Sequence, residues 1–148
     1  MKVQKELTEV IITPWVAYTP TFTGFGTPTS VAFFSRRVGD TLEVEGSWIP
    51  GTTTAVEARI SLGFNGVDGG LTIASTKTPA SVTSLAGIFT YVVTGTSSGY
   101  ILKEAGVGYM TLGNQFTSNA GLSKLNGNSV FSSGNRVALK AAFPITGW

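Results

Sequence analysis

The chain has 148 residues, carries a formal net charge of +2 and contains neither cysteine nor histidine. Without those two residues, disulfide frameworks, thiolate or Ser-His-Asp nucleophiles and the common zinc sites are excluded, which removes most familiar hydrolase chemistry. Only 12% of residues are charged, against roughly 25% in ordinary domains, while 42% are hydrophobic and 19 are glycine.

Basic residues are scattered, with Arg36-Arg37 the only adjacent pair, so no nucleic-acid stripe is expected. No apolar run approaches the ~20 residues of a membrane span, and the opening MKVQKELTEVII has too short an apolar core for a signal peptide. The expectation is a soluble protein, not exported by that route and with no membrane insertion. Low charge beside abundant apolar residues predicts that part of the surface is buried between copies of the chain.

Residues 1–14 read as an N-terminal arm. The spacing of Val3, Leu7, Val10 and Ile11 suits a short amphipathic helix, whereas the β-branched run Val10 to Thr13 suits a strand. Residues 15–148 are expected to form the folded domain. Within residues 15–25, Pro20 cannot donate to a ladder, which predicts an edge strand or a strap.

The organising stretch is residues 31–62, read as a β meander of three strands separated by turns at Gly39-Asp40 and Pro50-Gly51. Leu42, Val44, Gly46 and Trp48 alternate with Thr41, Glu43, Glu45 and Ser47, the period-2 pattern of a half-buried strand. A two-residue loop at Gly39-Asp40 sets Arg36 opposite Glu43 and Val31 opposite Trp48. A three-residue loop sets Phe34 against Val44, and both registers stay open. Ala58, Ile60 and Leu62 form the inner face of the third strand.

Residues 63–70, with four glycines and an Asn-Gly, are expected to be a long mobile loop. Short strands are expected at residues 71–74, 88–94, 100–103, 109–112 and 137–143, with turns at 95–98, 104–108 and Asn126-Gly127. Many short strands and almost no helical period predict an all-β fold, an antiparallel β-sandwich of jelly-roll type. A small barrel is the alternative.

No catalytic constellation stands out among the carboxylates Glu6, Glu9, Asp40, Glu43, Glu45, Glu57, Asp68 and Glu104. Glu43 and Glu45 share a strand face about 7 Å apart, as any two acids on an alternating strand do. Asn65 and Asp68 make at best a weak calcium site, and the glycine pairs lack a phosphate-loop pattern. No metal, cofactor or enzymatic activity is therefore expected. Aromatic rings flanked by amides and hydroxyls suit saccharide stacking, and Tyr109 with Asn114 and Gln115 is the expected glycan-binding group. Trp15, Ile145 and Trp148 are assigned to terminal packing or a subunit seam.

The segments WVAYTPTFTGFGT, FFSRRVGDTLEVEG, EARISL, VGYMTLG and FPITGW together resemble the C-terminal domain of bacteriophage tail fibre and tailspike proteins, over almost all of residues 15–148. That resemblance implies a β-sandwich module that forms homotrimers at a fibre tip, assists assembly and contacts host surface polysaccharide. It implies residence in the virion tail, with the host cytoplasm as the place of assembly, and a full-length tail fibre or tailspike as a further partner. Alternatives are a capsid decoration protein and a polysaccharide-degrading enzyme. Fibre proteins carry a long shaft before this domain, so the fourteen residues ahead of Trp15 suggest a separately translated C-terminal product, an independent virion component or an excised domain.

Overall fold

The computed structural model describes residues 9–79, 84–93, 95–116 and 122–148. In chain order its strands are β1 (Val16–Tyr18), β2 (Phe22–Thr23), β3 (Thr29–Val38), β4 (Thr41–Ile49), β5 (Arg59–Ser61), β6 (Gly63–Phe64), β7 (Val67–Asp68), β8 (Ser84–Val93), β9 (Gly95–Lys103), β10 (Tyr109–Phe116), β11 (Leu122–Lys124) and β12 (Val137–Pro144). A 3₁₀ turn at Ser75–Lys77 and a single helical turn, α1 (Gly127–Val130), are the other regular elements among the described residues.

All the pairings are antiparallel, and one sheet runs in the order β1-β3-β4-β12-β8-β9-β10-β5-β2, with β11 added beside β10. Only residues 19–21 separate β1 from β2, so the two ends of this path adjoin in the chain and the sheet must curl to bring them together. Tyr18 Oη and Thr21 O both bond the Ser61 backbone, at 3.2 and 3.0 Å, and Ser35 Oγ donates to Gly63 O at 2.7 Å. The result is an all-β, sandwich-like half-barrel.

The alternation expected from the sequence decides what fills it. Leu42, Val44 and Trp48 from β4, Ala58, Ile60 and Leu62 around β5, and Val137, Leu139, Ala141 and Phe143 from β12 are all buried. A chain of aromatic contacts joins the layers: Phe33 to Trp48, Trp48 to Phe25, Phe25 to Phe131, and Phe131 to Phe89 and Tyr91, with ring centroids 5.3 to 5.7 Å apart. Such centroid spacings lie in the favourable range for ring pairs.

The β3–β4 hairpin takes the two-residue loop, with Gly39 at φ +61° in the first position. Arg36 lies opposite Glu43 and Nε meets Oε2 at 2.6 Å. The pairing expected between Val31 and Trp48 is interrupted by a register shift between Thr29 and Ala32.

Five local expectations are corrected. Residues 31–62 are not a meander, because β4 is flanked by β3 and β12 while β5 lies between β10 and β2. Backbone bonds carry the intervening segment across to other loops: Gly51 N to Phe25 O, Thr54 N to Gly24 O and Ala58 N to Leu125 O, each within 3.0 Å. Residues 63–68 form the β6–β7 hairpin over an Asn65-Gly66 turn with φ of +53° and +82°, so the glycine-rich loop has a defined shape. Residues 71–74 form no strand but one bridge, Ile73 to Ile145. Residues 95–98 lie inside β9, paired with β8 as far as Val93 opposite Gly95. Asn126-Gly127 opens α1 instead of a hairpin turn, with Asn126 N donating to Ser129 Oγ at 3.2 Å.

Of the N-terminal arm, residues 1–8 lie outside the described residues. Its end runs as extended chain against β3: Ile12 bridges Val38, Thr13 N donates to Arg37 O at 3.0 Å, and Gly39 N donates to Ile11 O at 2.7 Å.

Candidate functional site

Because β3, β4, β12, β8 and β9 send one parity inward, the other parity forms a continuous outer face. Cross-strand register lines up Phe34, Glu45, Lys140, Ile88 and Tyr100 as one row across five strands, about 19 Å wide at ordinary strand spacing. The next row is Ala32, Ser47, Ala138, Thr90 and Ser98, all small. Small side chains beside Phe34 leave a shallow groove of about 410 Å³. Phe34 is 44% exposed, Ile88 56% and Val92 54%, so large apolar groups stand in water on this face without cover from the described residues.

The outer side of β5 and β10 has the opposite character. Arg59 lies 4.3 Å over the Tyr109 ring and its Nε donates to Glu57 at 2.8 Å. Glu57 also meets Lys124 at 3.5 Å, and Lys124 is bound to Glu104. The Arg59 guanidinium is held above its ordinary pKa chiefly by the hydrogen bond to Glu57. Partial burial works against the charge on Lys124, but the bonds and attraction of Glu104 and Glu57 outweigh it and raise its pKa. This face is a satisfied network of alternating charges.

Tyr109 therefore already carries a guanidinium over its ring. Asn114 is exposed but lies five residues further along β10, about 17 Å at strand rise and on the opposite parity, so the strand does not bring the two together. The Gln115 side chain lies outside the described residues. Glu43 is engaged by Arg36, while Asp68 accepts from the Thr21 hydroxyl at 2.8 Å and from the Ser61 hydroxyl. Among the described residues no three acidic groups converge as a metal site.

The terminal residues make a second feature. Ile145 is buried, with its N–H bonded to Asp40 O at 3.0 Å. Trp148 packs against Phe64 at 4.9 Å and carries the Arg37 guanidinium 4.6 Å over its ring, and Trp15 holds Arg36 in the same way at 4.8 Å. Between Trp148 and the 3₁₀ turn lies a cleft of about 220 Å³, lined by Ala74 and Ile145 below and by the hydroxyl-bearing Ser75, Thr76 and Thr146 with Lys77 around it. Lys77 is paired with Asp40, and its hydrogen bond, followed by that of the Thr41 hydroxyl, holds the Asp40 carboxyl below its usual pKa. Sequence reasoning missed this cleft, because Ser75 and Thr76 stand some seventy residues from Trp148.

Comparison of the chain with protein-family models, with curated proteins and with solved structures returns no match.

Proposed function

We propose that this chain is a non-enzymatic structural module of a bacteriophage tail fibre or tailspike, working in the virion as a homotrimer. The observation that carries the reading is the outer face of β3, β4, β12, β8 and β9, where Phe34, Ile88 and Val92 stand exposed on neighbouring strands above a row of alanine, serine and threonine. A sheet face with exposed apolar side chains of that kind is stable in water when a second protein surface covers it. The segments that resemble fibre-tip domains support the same reading, since residues 33–40 form the end of β3 and its hairpin loop, beside that face. Sedimentation equilibrium is expected to give a mass near three times 15.4 kDa. A monomer at every concentration tested rejects assembly, and a dimer rejects the fibre-tip symmetry.

A second task, weak contact with host surface glycans, is favoured by the cleft beside Trp148. Its indole, apolar base and ring of hydroxyls match the apolar face and polar rim of one sugar ring, and its one lysine is neutralised by Asp40. Oligosaccharides cut from host surface polysaccharide are expected to bind the assembled protein weakly, with Trp148→Ala abolishing the signal and Tyr109→Ala leaving it unchanged. The reverse pattern returns the site to Tyr109, and silence from the native protein removes glycan recognition altogether.

A further inference from the structure

We infer that Arg37 makes the cleft beside Trp148 selective for acidic sugars, its guanidinium taking the carboxylate of a hexuronic acid whose ring lies against the indole. The inference rests on the glycan reading and names the ligand class of that same cleft. Arg37 follows the buried Phe33 and Ser35 on the inward parity of β3, so its charge is carried to the end of the core and held half-buried there. Charges in that position are ordinarily paired. Arg36, Arg59, Lys77 and Lys124 each hold a carboxylate, whereas Arg37 makes no ion pair among the described residues. Its Nε donates to Gly39 O at 2.7 Å and its guanidinium lies over the Trp148 ring, which leaves the two terminal amino groups of the fork without an acceptor among the described residues. Lys103, Arg136 and Lys140 are also unpaired there, yet none of them lies over an aromatic ring or lines this cleft. The lysine that does line it is neutralised by Asp40. The Gly39-Asp40 loop ties the fork to the cleft wall: Gly39 O holds Arg37, Asp40 O holds Ile145 N at 3.0 Å, and the Asp40 carboxylate holds Lys77. A carboxylate accepts two parallel bonds from such a fork, and it relieves the cost of a half-buried charge that has no counter-ion.

The test is isothermal titration of the full chain, Arg37→Met, Arg37→Lys and Arg136→Met with two probes, trigalacturonic acid and the same trisaccharide with its carboxyls reduced to alcohols, after a thermal melt of each protein. The readout is the ratio of the two affinities within one protein, because a variant that merely loosens Trp148 weakens both probes alike. The full chain is expected to bind the acidic probe at least about tenfold more tightly than the reduced one. Arg37→Met is expected to abolish that preference. Arg37→Lys, which keeps the charge and gives up the fork, stands in where Arg37→Met fails to fold, and is expected to keep only part of it. Arg136→Met removes an exposed cation held only by Ser47 and is expected to leave the ratio unchanged, which separates Arg37 from the overall charge. A preference that is absent from the full chain, survives Arg37→Met or is lost equally in Arg136→Met overturns the inference, while the glycan reading stands because a sugar has bound. Binding of neither probe also overturns the inference, and leaves the glycan reading to the oligosaccharides cut from host polysaccharide.

Discussion

Replacing Gly127 by alanine is expected to cost about 3 kcal/mol or more, lowering the melting temperature by roughly 10 °C. A Cβ at that position would stand 1.7 Å from the Gly24 carbonyl oxygen and 2.5 Å from its carbon. Both are backbone atoms, so no side-chain rotation relieves the clash. Nor can either segment retreat freely. Gly127 N is bonded to Val56 O at 2.9 Å, Asn128 N to Thr54 O at 2.9 Å, and Thr54 N to Gly24 O at 3.0 Å. These three bonds tie residues 24, 54–56 and 127–128 into one knot that carries the chain from β4 across to β5. Gly134→Ala is the matched control, since nothing lies within 4 Å of its Cβ and only its φ of +87° opposes the change. That strain is worth about 1 kcal/mol. Equal losses in the two variants would show that packing around Gly127 is loose.

Trp48→Ala is expected to remove about 3 to 5 kcal/mol, read by urea unfolding. Trp48 is fully buried, with its ring 5.5 Å from Phe22, 5.4 Å from Phe25 and 5.7 Å from Phe33. Deleting it opens a void where β2, β3 and β4 converge, and rings locked edge to face cannot collapse into it. Trp48→Phe should behave very differently. The Trp48 Nε1 donor is buried with no hydrogen-bond partner among the described residues, so phenylalanine gives up some contact area while shedding an unsatisfied donor. A loss within about 1.5 kcal/mol is expected there. An alanine variant no less stable than the phenylalanine one would show that the aromatic chain is not the centre of the core.

Much of the fold was legible because its causes are local. The inward set on β4 and β12 follows from strict alternation, while the Arg36–Glu43 pair belongs to one of two registers the sequence left open, decided by Gly39 taking a positive φ in the first loop position. What escaped reading is set by distant partners. Nothing between Pro50 and Ala58 announces that the chain leaves β4 for the neighbourhood of β10, since that crossing is fixed by carbonyls at residues 24, 25 and 125. The Asn65-Gly66 hairpin did carry a local signal, but one submerged among further glycines. At the candidate sites the same division holds. Tyr109 and Asn114 look like neighbours in the sequence, and strand geometry separates them; Trp148 and Ser75 look remote, and the bridge from Ile73 to Ile145 brings their segments together. That Glu45 and Lys140 face each other becomes visible only once β12 is known to lie beside β4.

The place of β12 also has a consequence for biosynthesis. It pairs along eight residues with β4 and five with β8, so the strand in the middle of the sheet is the last of the twelve to leave the ribosome. Until residues 137–144 are synthesised, β4 and β8 face one another as two open edges, each with unpaired backbone groups and one apolar side. The β3–β4 and β8–β9 hairpins can form early from local contacts, but they cannot be joined. A chain that stops short of β12 therefore holds two half-sheets that meet only on the β1–β2 side, without the continuous outer face from β3 to β9. Translation through β12 is the step that closes the sheet, and a chain released short of residue 137 keeps both edges open.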